Sequence, residues 1–403
     1  MKLSQMARSI APSPTLRLNE QARLLRERGE PVIHLGVGEP KNKAPRAAIE
    51  RASALLEGGY VKYGPTAGQP ALREAIAGYT ETFYGRRIAP ENTIVSASAK
   101  QSIYNALVSV VNPGDEVIIL APYWVSYPEM VRLVYGVPVI VPLRDAAFEP
   151  QIAAVEAAVS DATRAIIVNS PNNPSGAVYS SAFVAALVDL AERHDLYLIM
   201  DDIYHQLVFD GSEAPSAYRF TQRDVDDSTI IVINGISKSY GMTGFRIGWA
   251  VAARQVVEVM TAIQGQIITC PSPLTQAAAE GALTGSQEIV EDLRRTMQAN
   301  RDAMLDELHA IPGVRVTRPA GTFYCLPDFS AYNPSSEALS DMLLHKALVV
   351  TVPGKAFGAE GHLRLSFSGN REDLIEGIRR IKWALDPSGP NEIYIGDHKI
   401  VRD

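Results

Sequence analysis

Ala165-Ile166-Ile167-Val168-Asn169-Ser170-Pro171-Asn172-Asn173-Pro174-Ser175-Gly176 joins an apolar, β-branched run to a turn of asparagine, proline, serine and glycine. A short run closed in this way reads as a buried strand that ends in a loop. The same pattern repeats on both sides, giving strand candidates at Thr93 to Ser96, Val117 to Leu120, Pro138 to Pro142, Tyr197 to Met200 and Thr229 to Asn234. Helix-period segments lie between them. Lys100 to Val111 is stopped by Asn112-Pro113-Gly114, and Ser181 to His194 starts at a serine N-cap. Strands alternating with helices predict parallel pairing through crossovers, hence a doubly wound, mostly parallel α/β sheet.

Beyond about residue 285 the pattern changes to a long charged helix, Gln287 to Ala310, followed by short strands at Gly321 to Leu326 and His362 to Phe367. This reads as an α+β unit, completed by an N-terminal segment too short to fold alone. The expected organisation is a large domain over 46–290 and a smaller, discontinuous α+β domain from 1–45 and 291–387. A C-terminal extension, 388–403, alternates around Gly396-Asp397 and reads equally as a small hairpin or as a frayed tail.

Composition narrows the function. The chain has 403 residues, a formal charge of −7, 46% hydrophobic residues and 21% charged residues. Those values describe a globular protein and exclude disordered, collagen-like and disulfide-scaffold classes. Cys270 and Cys325 form no CxxC, so neither a disulfide framework nor a metal site is expected. Met1 to Arg8 lack the apolar run of a signal peptide, and no stretch approaches the ~18 apolar residues of a membrane span. The expectation is a cytoplasmic protein with no membrane partner. Mild acidity without a Lys/Arg block argues against a nucleic-acid partner and for a small-molecule substrate.

In an open parallel sheet, ligands bind outside the carboxyl ends of the strands. Three such ends carry Asn173, then Asp201-Asp202-Ile203-Tyr204, then Ser237-Lys238 running on to Arg246. Taken singly, Asn173 is a turn residue, Asp201 a helix cap and Lys238 a surface ammonium. Together, a lysine beside an acid, an amide and a phenol is the equipment for holding an aldehyde as a Schiff base and using a protonated pyridine ring as an electron sink.

Over about Pro12 to Leu385 the chain resembles the fold-type I pyridoxal-phosphate aminotransferases of class I, most of all the bacterial aspartate aminotransferase branch. SPNNPSG (170–176), DDIY (201–204), SKSYGMTGFRIG (237–248) and HLRLSFS (362–368) occur in family order and spacing. The resemblance implies that Lys238 carries pyridoxal 5'-phosphate as a Schiff base and moves the proton between substrate Cα and cofactor C4′. It implies that Asp201 faces the pyridine nitrogen, that Tyr204 and Asn173 reach the cofactor phenolate oxygen, and that Trp124 stacks on the ring. The helix opening at Ser98, Ala99 and Lys100 offers amides to the phosphate. Arg246 and Ser237 would add a cation and a hydroxyl there. Tyr63 would reach the phosphate of the other subunit, which implies a homodimer with composite sites.

On the substrate side, Arg364 and the Gly38 backbone match the family's α-carboxylate contacts. Lys100 and Thr15 match positions that receive a side-chain carboxylate. One departure stands out: Gly38-Glu39-Pro40 is followed by Lys41-Asn42-Lys43, where the family has an acidic and then an aromatic residue. Two cations beside the substrate mouth would favour a dicarboxylate or redirect specificity. The implied activity is a ping-pong transaminase moving an amino group from an L-amino acid, best aspartate, to 2-oxoglutarate. Other specificities (an aromatic amino acid, prephenate or a specialised metabolite) and a lyase, decarboxylase or cyclase on the same scaffold stay open, because the electron sink does not dictate which bond breaks.

Overall fold

The computed structural model describes residues 4–10, 14–142, 147–395 and 398–401. Its strands, in chain order, are β1 (Ile33–His34), β2 (Thr93–Ser96), β3 (Glu116–Leu120), β4 (Val137–Val141), β5 (Thr163–Asn169), β6 (Tyr197–Asp201) and β7 (Ile230–Gly235). They continue as β8 (Gly248–Val251), β9 (Tyr324–Cys325), β10 (Val349–Val350), β11 (Val352–Pro353), β12 (Leu363–Ser366), β13 (Glu392–Ile395) and β14 (His398–Val401). A seven-stranded sheet has the order β2-β8-β7-β6-β5-β3-β4. Strands β4, β3, β5, β6 and β7 are parallel neighbours, and β8 runs antiparallel between β7 and β2.

Residue alternation explains why the sheet is covered on both faces. Ile118, Leu120, Ile166, Val168, Leu198, Met200, Ile230 and Val232 point to one side, where Leu187 and Val188 of the helix Ser181–Arg193 cover them. Val117, Ile119, Ala165, Ile167, Ile199, Ile231 and Ile233 point to the other, against Ile103 and Leu107 of the helix Ala99–Val110 and Val257 and Met260 of the helix Arg254–Ile267. Each fully buried aliphatic side chain contributes roughly 1.5–3 kcal/mol. Burial on both faces removes the polar alternation of a one-sided sheet. The helix starts are capped as serines cap: Ser98 Oγ accepts the Gln101 amide at 3.3 Å and Ser180 Oγ accepts the Phe183 amide at 3.1 Å.

A second core gathers Leu293, Met304 and Leu308 of the helix Glu288–His309, Ile378 and Ile381 of the helix Arg371–Leu385, and Phe323, Leu363 and Phe367 around the sheet β11-β12-β9. Leu35, beside β1, joins it, and β1 pairs in parallel with β10. Strands β13 and β14 form an antiparallel hairpin whose Ile400 packs with Leu18, Ala22 and Trp383.

Beyond the short strands β1, β10 and β11, which the sequence did not mark, two elements near the site differ from the sequence reading. Strand β8 was not expected: Gly248-Trp249-Ala250-Val251 holds a single β-branched residue. The strand expected over Gly321 to Leu326 shrinks to Tyr324–Cys325, because Thr322 takes a left-handed φ of 63° that interrupts extended backbone.

Candidate active site

The ends of β5, β6 and β7 lie side by side: Asn169 is in register with Asp201, and Asp201 with Ile233. Asp201 is itself the last residue of its strand rather than the first of the loop. Asn169 Nδ2 donates to the Asp201 carbonyl at 2.8 Å, and its Oδ1 accepts the Asn173 amide at 2.8 Å. One strand-terminal amide thus ties the Asn173 loop to the neighbouring strand. Asn169 was missed in the sequence, although its place as the final residue of the quoted run marks it.

These ends floor a cavity of about 340 Å³, within the range of ~300–1,000 Å³ usual for small-molecule sites. Gly38, Ser98, Ala99, Lys100, Trp124, Asn173, Asp201, Tyr204, Ser237, Lys238, Arg246 and Arg364 all line it. One expected residue does not. Tyr63 is 87% exposed and stands beside Cys270 and Pro271 on the chain's surface. The Thr15 side chain lies outside the described residues.

Lys238 Nζ donates to the Gly38 carbonyl at 2.7 Å. Burial, with help from the nearby Arg364 and Arg246 charges, pulls its amine down to about 8, against the opposing pull of Glu39 and Asp201. Asp201 is 4% exposed, and burial lifts its carboxyl to about 6 although Tyr127, the Ile203 amide and Lys238 all favour the ionised form. The Tyr127 hydroxyl donates to Asp201 Oδ2 at 2.5 Å. Tyr127 was not singled out beforehand; it lies one helical turn beyond Trp124 and meets that ring edge-on at 5.4 Å.

At the opposite side, Arg364 is 3% exposed, with Nη1 donating to Asn173 Oδ1 at 3.1 Å and Nη2 to the Gly36 carbonyl at 2.9 Å. Its Nε is buried without a protein partner. A buried guanidinium with an unsatisfied donor is costly unless an anion completes it. Because Asn173 accepts through Oδ1, its N–H₂ end is the one left to a ligand.

At the helix start, the Ser98 amide already donates to the Ser96 carbonyl at 2.8 Å. The donors left in the first turn are Ala99 and Lys100, which precede any intrahelical acceptor. Gly248 makes this close approach possible, since any Cβ there would overlap the Ala99 nitrogen and lie 2.6 Å from the Ser98 carbonyl carbon. Arg246, exposed and in a left-handed conformation, donates from Nη1 to the Thr243 carbonyl at 2.8 Å. The Lys100 ammonium sits 4.7 Å from the Trp124 ring centroid, and burial, then Arg246, lower its pKa.

The two unexpected cations fall outside this arrangement. Lys41 lies 3.8 Å from Asp373 in an exposed ion pair, Lys43 is exposed, and neither lines the cavity. Their neighbour Glu39 accepts a hydrogen bond from Thr243 instead. A role for Lys41 and Lys43 in choosing the substrate has no support in this geometry.

A lysine, a buried carboxyl and a buried guanidinium converging at strand ends of a doubly wound sheet define a fold-type I transaminase site. Residues 30–381 match the family described as aminotransferase class I and II, and the chain belongs to that family. It is similar to the aspartate/prephenate aminotransferase of Thermus thermophilus, 39% identical over 95% of this chain and 98% of that one. The aspartate aminotransferase of Geobacillus stearothermophilus is 35% identical over 94% and 98%. Among solved structures, the Thermus thermophilus aspartate aminotransferase with maleate superposes with a TM-score of 0.90, at 39% identity over 95% of this chain and 99% of that one. The protein is a transaminase.

Proposed function

We propose that this transaminase takes its amino group from L-aspartate, passes it to 2-oxoglutarate by a ping-pong route, and uses pyridoxal 5'-phosphate to do so. The observation that carries the reading is the single cavity lined by Lys238, Asp201 and the buried Arg364. The residues fit that cofactor: a free first-turn amide pair and Arg246 suit a phosphate, Trp124 offers a ring face, and Asp201 offers a buried carboxylate to a cationic nitrogen.

When bound, the cofactor supplies a carbonyl that condenses with the amino group and a protonated ring that accepts the electron pair left at the substrate Cα. The chain does the rest. Asp201 holds the proton on the ring nitrogen, since the anion is stabilised by a cation in a site that otherwise disfavours it. Lys238, whose amine burial pulls down to about 8, is the base placed to take and return the proton at Cα. Tyr204 and the N–H₂ of Asn173 hold the ring oxygen. Arg364 receives the α-carboxylate through its planar fork, and Lys100 with Thr15 receives the side-chain carboxylate. Tyr63, exposed on its own chain, completes the phosphate site of a second copy, so the working unit is a homodimer.

A second acceptor is favoured by one finding: relatives at 38–39% identity are named for prephenate as well as aspartate. A panel of amino acids offered with 2-oxoglutarate, and of oxo acids offered with glutamate, tests both. Aspartate should lead the donors; a panel in which an aromatic or uncharged donor leads by tenfold in kcat/KM overturns the assignment.

A further inference from the structure

Tyr324 lines the cavity but received no role from the sequence. The turn that delivers it is strained. Thr322, fully buried, has φ of 63°, which a β-branched residue rarely adopts. Its amide donates to the Leu207 carbonyl at 2.8 Å, and its Oγ1 accepts the Tyr324 amide at 3.1 Å. Gly176, from the Asn173 loop, packs so closely that an added Cβ would lie 2.6 Å from the Tyr324 carbonyl oxygen. Such strain persists only where the surroundings over-determine it, and it concentrates at ligand-holding sites.

The register of two very short strands then aims the side chain. Tyr324 pairs with Ser366, so it shares a face with Arg364 as a diagonal neighbour. The Arg364 guanidinium carbon stands 4.3 Å from the Tyr324 ring centroid and 5.0 Å from that of Phe357. At its other end the Tyr324 oxygen touches Gly38, where a Cβ would overlap it, and the buried Tyr204 phenol is its polar neighbour, each shifting the other's pKa. The rings of Tyr204 and Tyr324 meet edge-on at 6.1 Å.

We propose that Tyr324 is a positioning residue that sets two contacts together: its ring fixes the plane of the Arg364 guanidinium for the α-carboxylate, and its hydroxyl fixes the Tyr204 phenol for the cofactor ring oxygen. The inference rests on the reading that Arg364 and Tyr204 hold substrate and cofactor. It makes the two halves separable by substitution, since Tyr324→Phe removes only the hydroxyl and Tyr324→Leu also removes the ring.

In the holoenzyme, Tyr324→Phe should move the pH midpoint of the bound cofactor's visible band in the direction that Tyr204→Phe moves it, and by less. Its Kd for succinate, an unreactive dicarboxylate, should change by less than about threefold. Tyr324→Leu should in addition raise that Kd about tenfold, as loss of a desolvated cation–π contact requires. Tyr324→Met repeats the ring test if the leucine variant does not fold. A midpoint unmoved in Tyr324→Phe, while Tyr204→Phe shifts it, overturns the hydroxyl half. Succinate binding unmoved in Tyr324→Leu or Tyr324→Met, while Arg364→Lys weakens it, overturns the ring half. If Tyr204→Phe and Arg364→Lys leave both readouts at wild-type values, the reading beneath falls and the proposal falls with it.

Discussion

Two rims face each other across the cavity, and they are built in different ways. One is cut from the ends of β5, β6 and β7, where ladder hydrogen bonds and two apolar faces hold Asn169, Asp201 and the approach to Lys238. The other comes from β9 and β12, strands of two and four residues, where Arg364 is held by Asn173, the Gly36 carbonyl and two aromatic rings. Backbone fixes the first rim; side-chain packing fixes the second. Substitutions on the first should therefore read out in chemistry, and substitutions on the second in binding.

Lys238→Ala is the most damaging test of that division. It is expected to lower kcat at least about 10³-fold and to remove the visible band of the lysine-bound cofactor, both measurable by absorbance. Wild-type turnover would take the strand-end rim out of the reaction. Asp201→Asn, which keeps the shape and removes the charge, should lower kcat about 10²-fold with little change in KM for aspartate. A change confined to KM would reverse the assignment.

Across the cavity, Arg364→Lys should raise KM for aspartate about tenfold or more and spare kcat by comparison, because an ammonium cannot reproduce the bidentate fork. Steady-state kinetics in which kcat falls as far as in Asp201→Asn would erase the distinction between the rims. Lys100→Ala sharpens the point at the far end of the substrate: KM for aspartate should rise about tenfold more than KM for an uncharged donor. Equal rises would remove Lys100 from the side-chain pocket.

The smallest effect concerns acid stability. Burial holds His205, behind the first rim, and His34, near the second, at about 4, with the Arg26 and Arg364 charges adding to the shift at His34. Both are neutral in the fold while the unfolded chain takes up protons from about 6.5 downward. Their contribution is therefore complete above pH 6.5 and is lost as pH falls toward 4. His205→Gln and His34→Gln should each flatten the denaturation midpoint between those pH values, by on the order of 1 kcal/mol at pH 5. An unchanged pH profile in both would show that neither ring is held neutral by the fold.

The first rim was legible in the sequence because strand ends announce themselves. A β-branched run followed by Asn-Pro-Ser-Gly, or by Asp-Asp, fixes where a strand stops, and the topology rule then says where a ligand sits. The second rim was legible only through the resemblance carried by HLRLSFS. Nothing local predicts that Tyr324 and Arg364 share a face, since that depends on a register set by two residue pairs after a left-handed threonine. A serine before a helix likewise announces a cap but not whether its own amide has an acceptor, as that of Ser98 has in the Ser96 carbonyl. Charge near a motif likewise says nothing about which way a side chain turns, and Lys41 and Lys43 do not line the cavity.

The hairpin β13–β14 and the helix Pro14–Glu27 are separated by almost the whole sequence, yet Ile400, Leu18 and Ala22 share one apolar cluster with Trp383, and His398 pairs with Glu30 at 2.9 Å. Trimming the hairpin is thus a core mutation of that helix, and a fusion partner placed against the helix is a load on the hairpin. Anyone redesigning this enzyme by editing one of these segments is editing both.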